Sequence, residues 1–425
     1  MNPLTLAYAQ ESDRDDPLKA FRSRFRLPGD RLIYLDGNSL GVLPDGVADG
    51  LRQTADHAWG ERLIRSWNED WYTKSTELGD RIALIAGASP GEVVVSDSTS
   101  VNLYKLVYAA LRLQKGRTRV ITDDLNFPSD VYILKGLVEQ FGPEYELVVL
   151  ESRDGMTIGM DQLDQAVDER TALVSLSHVV FKSAFRYPMK AVTELVHARG
   201  GMVLWDLSHS IGSVPGELNA AGADLAVGCS YKYLNGGPGA PAFLYVKRSL
   251  QDKLESPIRG WFGEQDPFAF GLDYKPAAGI RRFLAGTPPI LSMIPLTYSV
   301  EILIEAGMER IRKKSEQQSA YLLSLAEALL YRHGFSSGSP VDVTSRGSHV
   351  SLRHPEAYRI CKALIDPGTG AFEIIPDFRE PDNIRLGITP LYTRFEDIFH
   401  TVKEMEMIVK EGLYLGFSDR REQVT

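Results

Sequence analysis

The sequence predicts an α/β fold in which a large domain holds a mostly parallel central sheet and a smaller α+β domain follows it. Two observations lead to this prediction. Between residues 92 and 228, short apolar runs typical of buried parallel strands alternate with segments whose apolar residues recur at helical spacing. After Pro295 the alternation stops, and a long helical region leads into separated strand-like pieces.

The predicted elements follow in chain order. Strands are predicted at 92–96, 119–122, 146–150, 172–176, 202–205 and 225–228. Helices are predicted at 101–113, 161–167 and 191–199, the last ended by Gly200-Gly201. The smaller domain should hold a helical region from 295 to about 333, broken near Gly307, strands at 348–352 and 372–375, and a helix at 395–413. We therefore expect domains at 51–295 and 296–425, with residues 1–50 packing against the smaller domain or arching over the active site.

Composition excludes several classes of function. The formal net charge of −9 gives no basic surface for nucleic acid, and no apolar run reaches the length of a membrane span. The first sixteen residues lack the basic start and apolar core of a signal peptide. Only two cysteines occur, Cys229 and Cys361, without paired spacing, which predicts a reducing cytoplasm and no metal site.

Ligands of an open α/β sheet bind beyond the carboxyl ends of its strands, so the residues after each strand are the first candidates for a site. After the first predicted strand, Asp97-Ser-Thr-Ser100 leads into a helix, where hydroxyls and free backbone N–H groups can bind an anion. The simpler interpretation is an ordinary helix N-cap. Asp206 and His209 follow a later strand, where a carboxylate could hold a protonated ring nitrogen or only bind loop amides.

Lys232 follows the last predicted strand and precedes a loop rich in Gly and Pro. A neutral amine there can attack a carbonyl and form a Schiff base, although most single lysines are solvated surface cations. Lys182, after the strand at 172–176, competes by position. Phe127, ahead of Pro128, could stack on a flat ring with Asp130 beside it, or simply mark a helix start.

Three of these signals occur in one order along the chain: an anion site at 97–100, then Asp206, then Lys232. A phosphate, a pyridinium nitrogen and an aldehyde are the three ends of pyridoxal 5′-phosphate. The residues therefore predict a site for that cofactor, with a protein partner for each end.

Six motifs then make nearly the whole chain resemble the kynureninase family, which belongs to the pyridoxal-phosphate enzymes of the aspartate aminotransferase fold, fold type I. They are Tyr34-Leu-Asp-Gly-Asn-Ser-Leu-Gly41, Phe127-Pro-Ser-Asp130, Asp206-Leu-Ser-His209, Cys229-Ser-Tyr-Lys-Tyr-Leu-Asn235, Gly260-Trp-Phe-Gly263 and Gly286-Thr-Pro-Pro289. Any one motif could occur by chance, whereas six in order indicate the family.

The resemblance implies a role for each site residue. Lys232 would bind the cofactor as a Schiff base, and Asp206 would pair with the pyridinium nitrogen. The implied phosphate contacts are Thr99, Ser100, Tyr231 and Trp261, the last a candidate to arrive from the partner subunit of a homodimer. Phe127 would stack on the ring, with Asp130, Ser177 and His209 positioning it, and Thr287 near the phosphate or the substrate. Arg385 would bind the substrate α-carboxylate through two parallel hydrogen bonds.

The implied reaction is hydrolytic cleavage of the Cβ–Cγ bond of an L-kynurenine-type amino acid, which gives an anthranilate and L-alanine. Lys232 would take the Cα proton, and the adjacent Tyr231 is the candidate acid or relay in the late steps. Many family members carry His after Gly-Trp-Phe-Gly, whereas this chain has Glu264. That departure leaves kynurenine and 3-hydroxykynurenine both open. The segment 60–71 is a candidate lining of the aryl pocket.

Other interpretations compete. Gly37-Asn-Ser-Leu-Gly41 matches the G-x-S-x-G elbow of serine hydrolases, with Ser39 as nucleophile, but 42–46 indicates a turn where the elbow requires a helix. A second alternative keeps the cofactor and changes the reaction, as in a cysteine desulfurase or an aminotransferase. Neither cysteine falls in an obvious mobile loop, which disfavours the desulfurase. A relative that binds the cofactor without catalysis is a third.

Overall fold

A computed structural model describes residues 2–421, and within them the strands form three sheets, of which the central one has seven strands. The strands are β1 (Leu32–Tyr34), β2 (Val93–Val95), β3 (Arg119–Asp123), β4 (Glu146–Leu150), β5 (Thr171–Ser177), β6 (Met202–Asp206), β7 (Leu225–Gly228), β8 (Phe243–Val246), β9 (Ser336–Ser337), β10 (Val350–Arg353), β11 (Glu373–Ile375), β12 (Asp377–Arg379) and β13 (Asn383–Leu386). The helices are α1 (Leu6–Arg14), α2 (Val47–Gln53), α3 (Lys74–Ala86), α4 (Thr99–Leu113), α5 (Pro128–Phe141), α6 (Met160–Ala166), α7 (Met189–Ala198), α8 (Arg248–Gln251), α9 (Ile290–Ala306), α10 (Met308–Leu329), α11 (Ala357–Ile365) and α12 (Phe395–Glu411).

The central sheet has the order β2-β8-β7-β6-β5-β3-β4. Only β8 is antiparallel to its neighbours β2 and β7, and the other adjacent pairs are parallel, which confirms the predicted mostly parallel sheet. The sequence analysis did not identify β8. A loop without a helix joins β7 to β8, and such a connection suits antiparallel neighbours because a parallel pair needs a longer crossover.

Both faces of the sheet are buried because alternate residues of its strands belong to two different apolar cores. Val203 and Trp205 of β6 pack in one core with residues of α3 and α7. Met202 and Leu204 pack in the other with residues of α4 and α5. Helices therefore cover both faces of the sheet, and the parallel pairing brings the carboxyl ends of its strands to one edge.

The sequence analysis did not identify α1, α2, α3, α8 or α11, and two further helices differ from the prediction in their bounds. For α5, the sequence analysis suggested only that a helix could start at Pro128, and the helix continues to Phe141. The long helical region begins at Ile290 rather than near Pro295, because Pro288-Pro289 set up its first turn and Pro295 is accommodated inside α9. Within the described residues no single helix could cross a membrane by length and composition; α9 and α10 meet that test only as a pair, bent by 79°.

The C-terminal part of the chain builds a second core around the antiparallel sheet β12-β13-β10-β9. The N-terminal segment joins this core: β1 pairs in parallel with β11, and α1 contacts α12. Ala9 and Ile33 are buried among residues of α10, α11 and α12. The limits 1–50, 51–295 and 296–425 stay predictions.

Candidate active site

A cavity of about 440 Å³ opens at the carboxyl edge of the central sheet, within the size range of small-molecule sites. Most of the residues predicted from the sequence line it: Thr99, Ser100, Phe127, Asp130, Asp206, His209, Tyr231 and Lys232. They come from the ends of β2, β3, β6 and β7, which the parallel arrangement brings to one edge.

One end of the cavity is the N-terminus of α4. Ser98 is the N-cap, and its Oγ accepts a hydrogen bond from the backbone N of Val101 at 3.3 Å. Ser100 Oγ lies 3.1 Å from Ser129 Oγ at the start of α5. The N-cap interpretation is therefore correct for Ser98, and the remaining hydroxyls and the helix dipole still favour an anion at this end.

The carboxylate of Asp206 lies at the end of β6. Its Oδ1 accepts hydrogen bonds from the backbone N and the Oγ of Ser208, at 2.8 and 2.6 Å. Ser177 is opposite Asp206 on β5 and lies outside the cavity lining, where its Oγ donates to Asn126 Oδ1 at 2.7 Å. Burial raises the pKa of Asp206, while Ser208 and Lys232 oppose the increase.

Asp130 faces the same space from α5. Burial raises its pKa well above the usual value, and the neighbouring Asp206 adds to the increase. Its Oδ2 is buried without a hydrogen-bond partner among the described residues. A buried acceptor that lacks a partner, next to a second carboxylate, fits a site that takes a ligand carrying N–H or O–H donors.

Lys232 projects from the loop after β7 and is only partly buried. Its Nζ lies 3.2 Å from His209 Nε2 and 5.7 Å from the centroid of the Phe127 ring. Burial, and after it Lys232, lowers the pKa of His209 well below the usual value. A neutral His209 ring can accept a hydrogen bond from the ammonium and hold it in the cavity.

The backbone around Lys232 is fixed by the N-terminal segment. Gly41 N donates to the carbonyl of Tyr231 at 2.8 Å, and a Cβ on Gly41 would collide with the carbonyl of Lys232. Burial raises the pKa of the Tyr231 phenol, and Cys229 adds to that increase. Tyr231 therefore stays protonated at neutral pH and can donate a proton beside Lys232.

These residues fit pyridoxal phosphate. A helix N-terminus with hydroxyls suits the phosphate, a buried carboxylate suits a ring N–H, and the amine of Lys232 lines the same cavity. Phe127 is 41% exposed and offers its ring to the same space. The donor set thus provides a partner for each end of the cofactor.

Arg385 lies on β13 and is buried, at 1% exposure, rather than exposed at a strand end. Its guanidinium pairs with Asp377, donates to the carbonyl of Phe181 at 2.6 Å and to Ser39 Oγ at 3.0 Å. The ring of Phe181 contacts the rings of both Phe127 and His209, at centroid distances of 5.3 and 6.4 Å. Phe181 therefore connects the arginine to the cofactor cavity.

Other predicted residues lie apart from the cavity. Trp261 is 41% exposed and packs on Phe262 and Phe268, and Thr287 is exposed two residues before Pro289, which does line the cavity. Lys182 lies outside the lining, so it does not compete with Lys232. Glu264 accepts hydrogen bonds from the backbone N of Asp266 and Lys275, so it closes the loop that follows Trp261.

Sequence reasoning missed several residues of the site. Ser208 and Ser129 lay inside quoted motifs, where a hydroxyl next to a predicted carboxylate was the available signal. Asn126 binds Ser177, Thr122 and the backbone N of Phe127, and its position directly before Phe127 was the signal. His349 and Phe181 had no signal, because they reach the site only through the tertiary fold.

Comparison with known proteins decides the family. The aminotransferase class-V model matches residues 33–343, and the model of the kynureninase C-terminal domain matches residues 311–405. A kynureninase from Pseudomonas fluorescens is 41% identical over 396 residues, which cover 92% of each chain. The chain belongs to the kynureninase family. A second member, from Burkholderia pseudomallei strain K96243, is 41% identical over 402 residues, or 93% of this chain and 94% of the relative.

The kynureninase family comprises pyridoxal-phosphate-dependent hydrolases that act on C–C bonds, so the chain is an enzyme of fold type I that uses this cofactor. Solved structures agree on the fold. An apo cysteine desulfurase from Thermococcus onnurineus NA1 superposes with a TM-score of 0.76 at 19% identity, covering 95% of this chain and 98% of that one. A cysteine desulfurase from Escherichia coli gives 0.77 at 17% identity, covering 94% and 98%.

Proposed function

We propose that the protein hydrolyses the Cβ–Cγ bond of L-kynurenine and releases anthranilate and L-alanine, with pyridoxal phosphate held through Lys232. The observation that carries the proposal is the placement of the Lys232 amine in one cavity with the Asp206 carboxylate and the α4 N-terminus. The full-length similarity to kynureninases selects this reaction among those of the fold.

In this proposal each end of the cofactor has its own residues. Thr99, Ser100 and Tyr231 would bind the phosphate, and Asp206 would hold the ring N–H. Phe127 would stack on the ring, with Asp130 and His209 beside it. Ser177, which is paired with Asp206 across β5 and β6, would help to position the Asp206 carboxylate. When bound, pyridoxal phosphate supplies an electron sink for bonds broken next to the substrate amine.

Lys232 and Tyr231 carry the proton transfers. The Lys232 amine takes the proton from Cα and is held toward the cavity by His209 Nε2 at 3.2 Å. Tyr231, whose phenol is protonated at neutral pH and whose pKa burial raises further, donates or relays a proton in the late steps. Positioned acid–base groups of this kind typically contribute about a hundredfold or more to the rate.

Arg385 is the proposed partner of the substrate α-carboxylate. Its guanidinium is fixed by Asp377 and Ser39, so it pays little entropy when a carboxylate approaches. A substrate carboxylate could displace the Ser39 hydroxyl and accept the Arg385 N–H hydrogen bond that Ser39 now accepts. This arrangement also argues against a hydrolase nucleophile at Ser39, because the helix that a nucleophile elbow requires starts only at Val47.

The aryl group of the substrate is proposed to lie toward a second cavity of about 330 Å³. Trp59 and Trp71 line it together with Pro288, Pro289 and Leu291, and Pro289 also lines the cofactor cavity. Trp71 is the last residue of the segment 60–71, which the sequence analysis named as a candidate lining of the aryl pocket, and Trp59 directly precedes that segment. Glu264 accepts hydrogen bonds from the backbone of its own loop, so it gives no reason to prefer one aryl group over another. Kynurenine and 3-hydroxykynurenine both stay candidate substrates.

A homodimer with active sites at the interface is also proposed. Phe268, Phe270 and Leu272 are 58%, 76% and 102% exposed beside Trp261, an apolar patch of the kind that interfaces cover. Trp261 does not reach the cavity of its own chain, so a role at the phosphate requires a second subunit. Mixed Lys232→Ala and Trp261→Ala subunits should regain part of the activity that neither homodimer has; no recovery would contradict a shared site.

A cytoplasmic location is proposed on the basis of the cysteines. Cys229 and Cys361 are both free and buried, at 3% and 0% exposure. Thiols without a disulfide fit a reducing compartment. A fusion of the full chain to a reporter protein, followed by cell fractionation, checks this: recovery with the membrane or exported fraction would contradict the location.

A substrate panel tests the reaction. Purified protein with pyridoxal phosphate is incubated with L-kynurenine and with L-3-hydroxykynurenine, and anthranilates and alanine are measured. We expect stoichiometric anthranilate and alanine from at least one of them. Alanine and sulfide from cysteine, or transamination of a keto acid, in place of anthranilate would favour the desulfurase or aminotransferase alternative.

A labelling experiment tests the lysine. Borohydride should fix the cofactor on a peptide that contains Lys232, and the visible absorbance of the purified protein should be lost in Lys232→Ala. A label on Lys182, or a colourless wild-type protein after addition of the cofactor, would contradict the assignment. Lys182→Ala is the matched control and should keep its colour, because Lys182 lies outside the cavity.

A further inference from the structure

Lys105 is a fully buried lysine on α4, on the apolar side of the helix, at 0% exposure. Its neighbours Leu103 and Leu106 belong to an apolar core. A buried charge is expensive, and an apolar residue would fill such a position at least as well. The position therefore suggests a task other than packing.

The Lys105 ammonium has three acceptors. Nζ donates to Asp97 Oδ2 and to the carbonyl of Phe283, both at 2.7 Å, and to Ser96 Oγ at 3.4 Å. Burial lowers the pKa of Lys105, and Asp97 opposes that change. One amine thus joins the end of β2 to a segment that lies far along the chain.

Asp97 is the residue through which Lys105 reaches the cofactor cavity. It lines that cavity and directly precedes the Ser98 N-cap of α4. Its φ is +49°, in the left-handed region that residues other than glycine rarely adopt. The carboxylate at the phosphate end would repel a phosphate dianion unless a cation neutralised it.

Phe283 ends the turn Gly279–Phe283, and the chain then continues to Ala285 and Thr287. The carbonyl of Ala285 accepts a hydrogen bond from the backbone N of Phe262, next to Trp261, at 3.2 Å. A Cβ on Gly260 would collide with Ala285, so the two segments lie in close contact. The carbonyl that Lys105 binds therefore belongs to the backbone that places both Trp261 and Thr287.

We propose that Lys105 is a positioning residue for the phosphate end of the cavity: it holds Asp97, neutralises its carboxylate, and joins the α4 N-terminus to the segment that carries Thr287. The inference rests on the proposed function, because it assumes that the cavity binds the phosphate of pyridoxal phosphate. It assigns Lys105 no contact with the cofactor.

The test measures binding of pyridoxal phosphate to apoenzyme by fluorescence quenching, which does not depend on the substrate. Lys105→Met should raise the dissociation constant roughly tenfold or more, because the Asp97 carboxylate is left next to the phosphate. Lys105→Met with Asp97→Asn should regain most of the affinity, since the repelling charge is gone. Pyridoxal, which has no phosphate, should lose less affinity in Lys105→Met than pyridoxal phosphate does.

Lys314 offers a matched control. It is also buried, and its Nζ binds Asp16 Oδ2 and the carbonyl of Pro390, both at 2.6 Å, outside the cofactor cavity. Lys314→Met should leave the affinity for pyridoxal phosphate within twofold of wild type. If Lys105→Met does not fold, Lys105→Gln, which still offers two N–H donors, replaces it.

An unchanged affinity in the Lys105 variant would overturn the inference while the wild type still binds the cofactor. An equal loss of affinity in Lys105→Met and in the double variant would also overturn it, because the loss would then come from packing and not from the Asp97 charge. Failure of the proposed reaction looks different: the wild-type protein would bind pyridoxal phosphate normally and yield no anthranilate.

Discussion

Lys232 and Arg385, the two cations of the proposed active site, are held in different ways. Lys232 is partly exposed, and within the described part of the chain the hydrogen bond of its amine is to His209 Nε2. Arg385 is 1% exposed and binds Asp377, Ser39 and the carbonyl of Phe181. One cation thus has a single hydrogen-bond partner among the described residues, whereas the other is held by three residues.

The difference follows from the two tasks. An amine that binds an aldehyde, leaves it and then moves a proton must change partners during the reaction, so strong fixed partners would slow it. A guanidinium that only recognises a carboxylate gains from being held in place before the substrate arrives. Four experiments examine this contrast, the largest expected effect first.

Lys232→Ala should lower kcat by roughly a thousandfold or more, because the proposed role of the residue combines covalent binding of the cofactor with proton transfer. The stability of the fold should change little, since Lys232 makes few contacts. Steady-state kinetics and a thermal melt measure the two effects. Loss of activity together with a collapse in stability would contradict a purely chemical role.

Arg385→Lys should lower kcat/KM by about thirtyfold or more, corresponding to ~2 kcal/mol for a truncated partner of a buried, hydrogen-bonded charge pair. An amine analogue of the substrate without the α-carboxylate should be used equally poorly by wild type and variant. Arg379→Lys is the control, because Arg379 pairs with the same Asp377 at 2.9 Å but is more exposed. A full loss with the amine analogue as well would point to misfolding.

Ser39→Ala should raise KM less than about tenfold, because it removes one neutral hydrogen bond to the Arg385 guanidinium. Turnover should remain near that of wild type. A serine nucleophile would instead lose roughly a thousandfold or more in kcat. The same kinetic assay thus separates a supporting hydroxyl from a reacting one.

Asp36→Asn should make stability less dependent on pH. Burial raises the pKa of Asp36 to about 7, Asp377 adds to the increase, and Ser39 and Arg385 oppose it. The folded protein then keeps a proton on Asp36 that the unfolded chain releases above roughly pH 4, so the stability that Asp36 contributes falls as pH rises from roughly 4 to about 7 and is lost above about pH 7.

Thermal melts at pH 5.5 and 8 check this. The fall in Tm between these two values should be smaller in Asp36→Asn than in wild type by about 2 °C or more. Asp45→Asn removes a carboxylate that is 51% exposed and should keep the wild-type difference. Equal differences in all three proteins would show that Asp36 is ionised in the folded state at both pH values.

The sequence predicted most of the central sheet and most of the residues that line the cavity, because both are local properties. Strand periodicity and apolar runs depend on neighbours along the chain, and the carboxyl ends of parallel strands meet wherever such a sheet forms. Asp206 and Lys232 therefore followed from their positions after β6 and β7, and they line one cavity. The motifs around them indicated the family, which the comparisons confirmed.

Only the tertiary structure decided how these residues are supported. Arg385 binds the carbonyl of Phe181, 204 residues away, and Lys105 binds the carbonyl of Phe283, 178 residues away. No periodicity or spacing encodes such partners, because they depend on how separate elements pack. The sequence by itself predicted which groups could do the chemistry; the fold decided which partners hold each of them, because those partners come from distant parts of the chain.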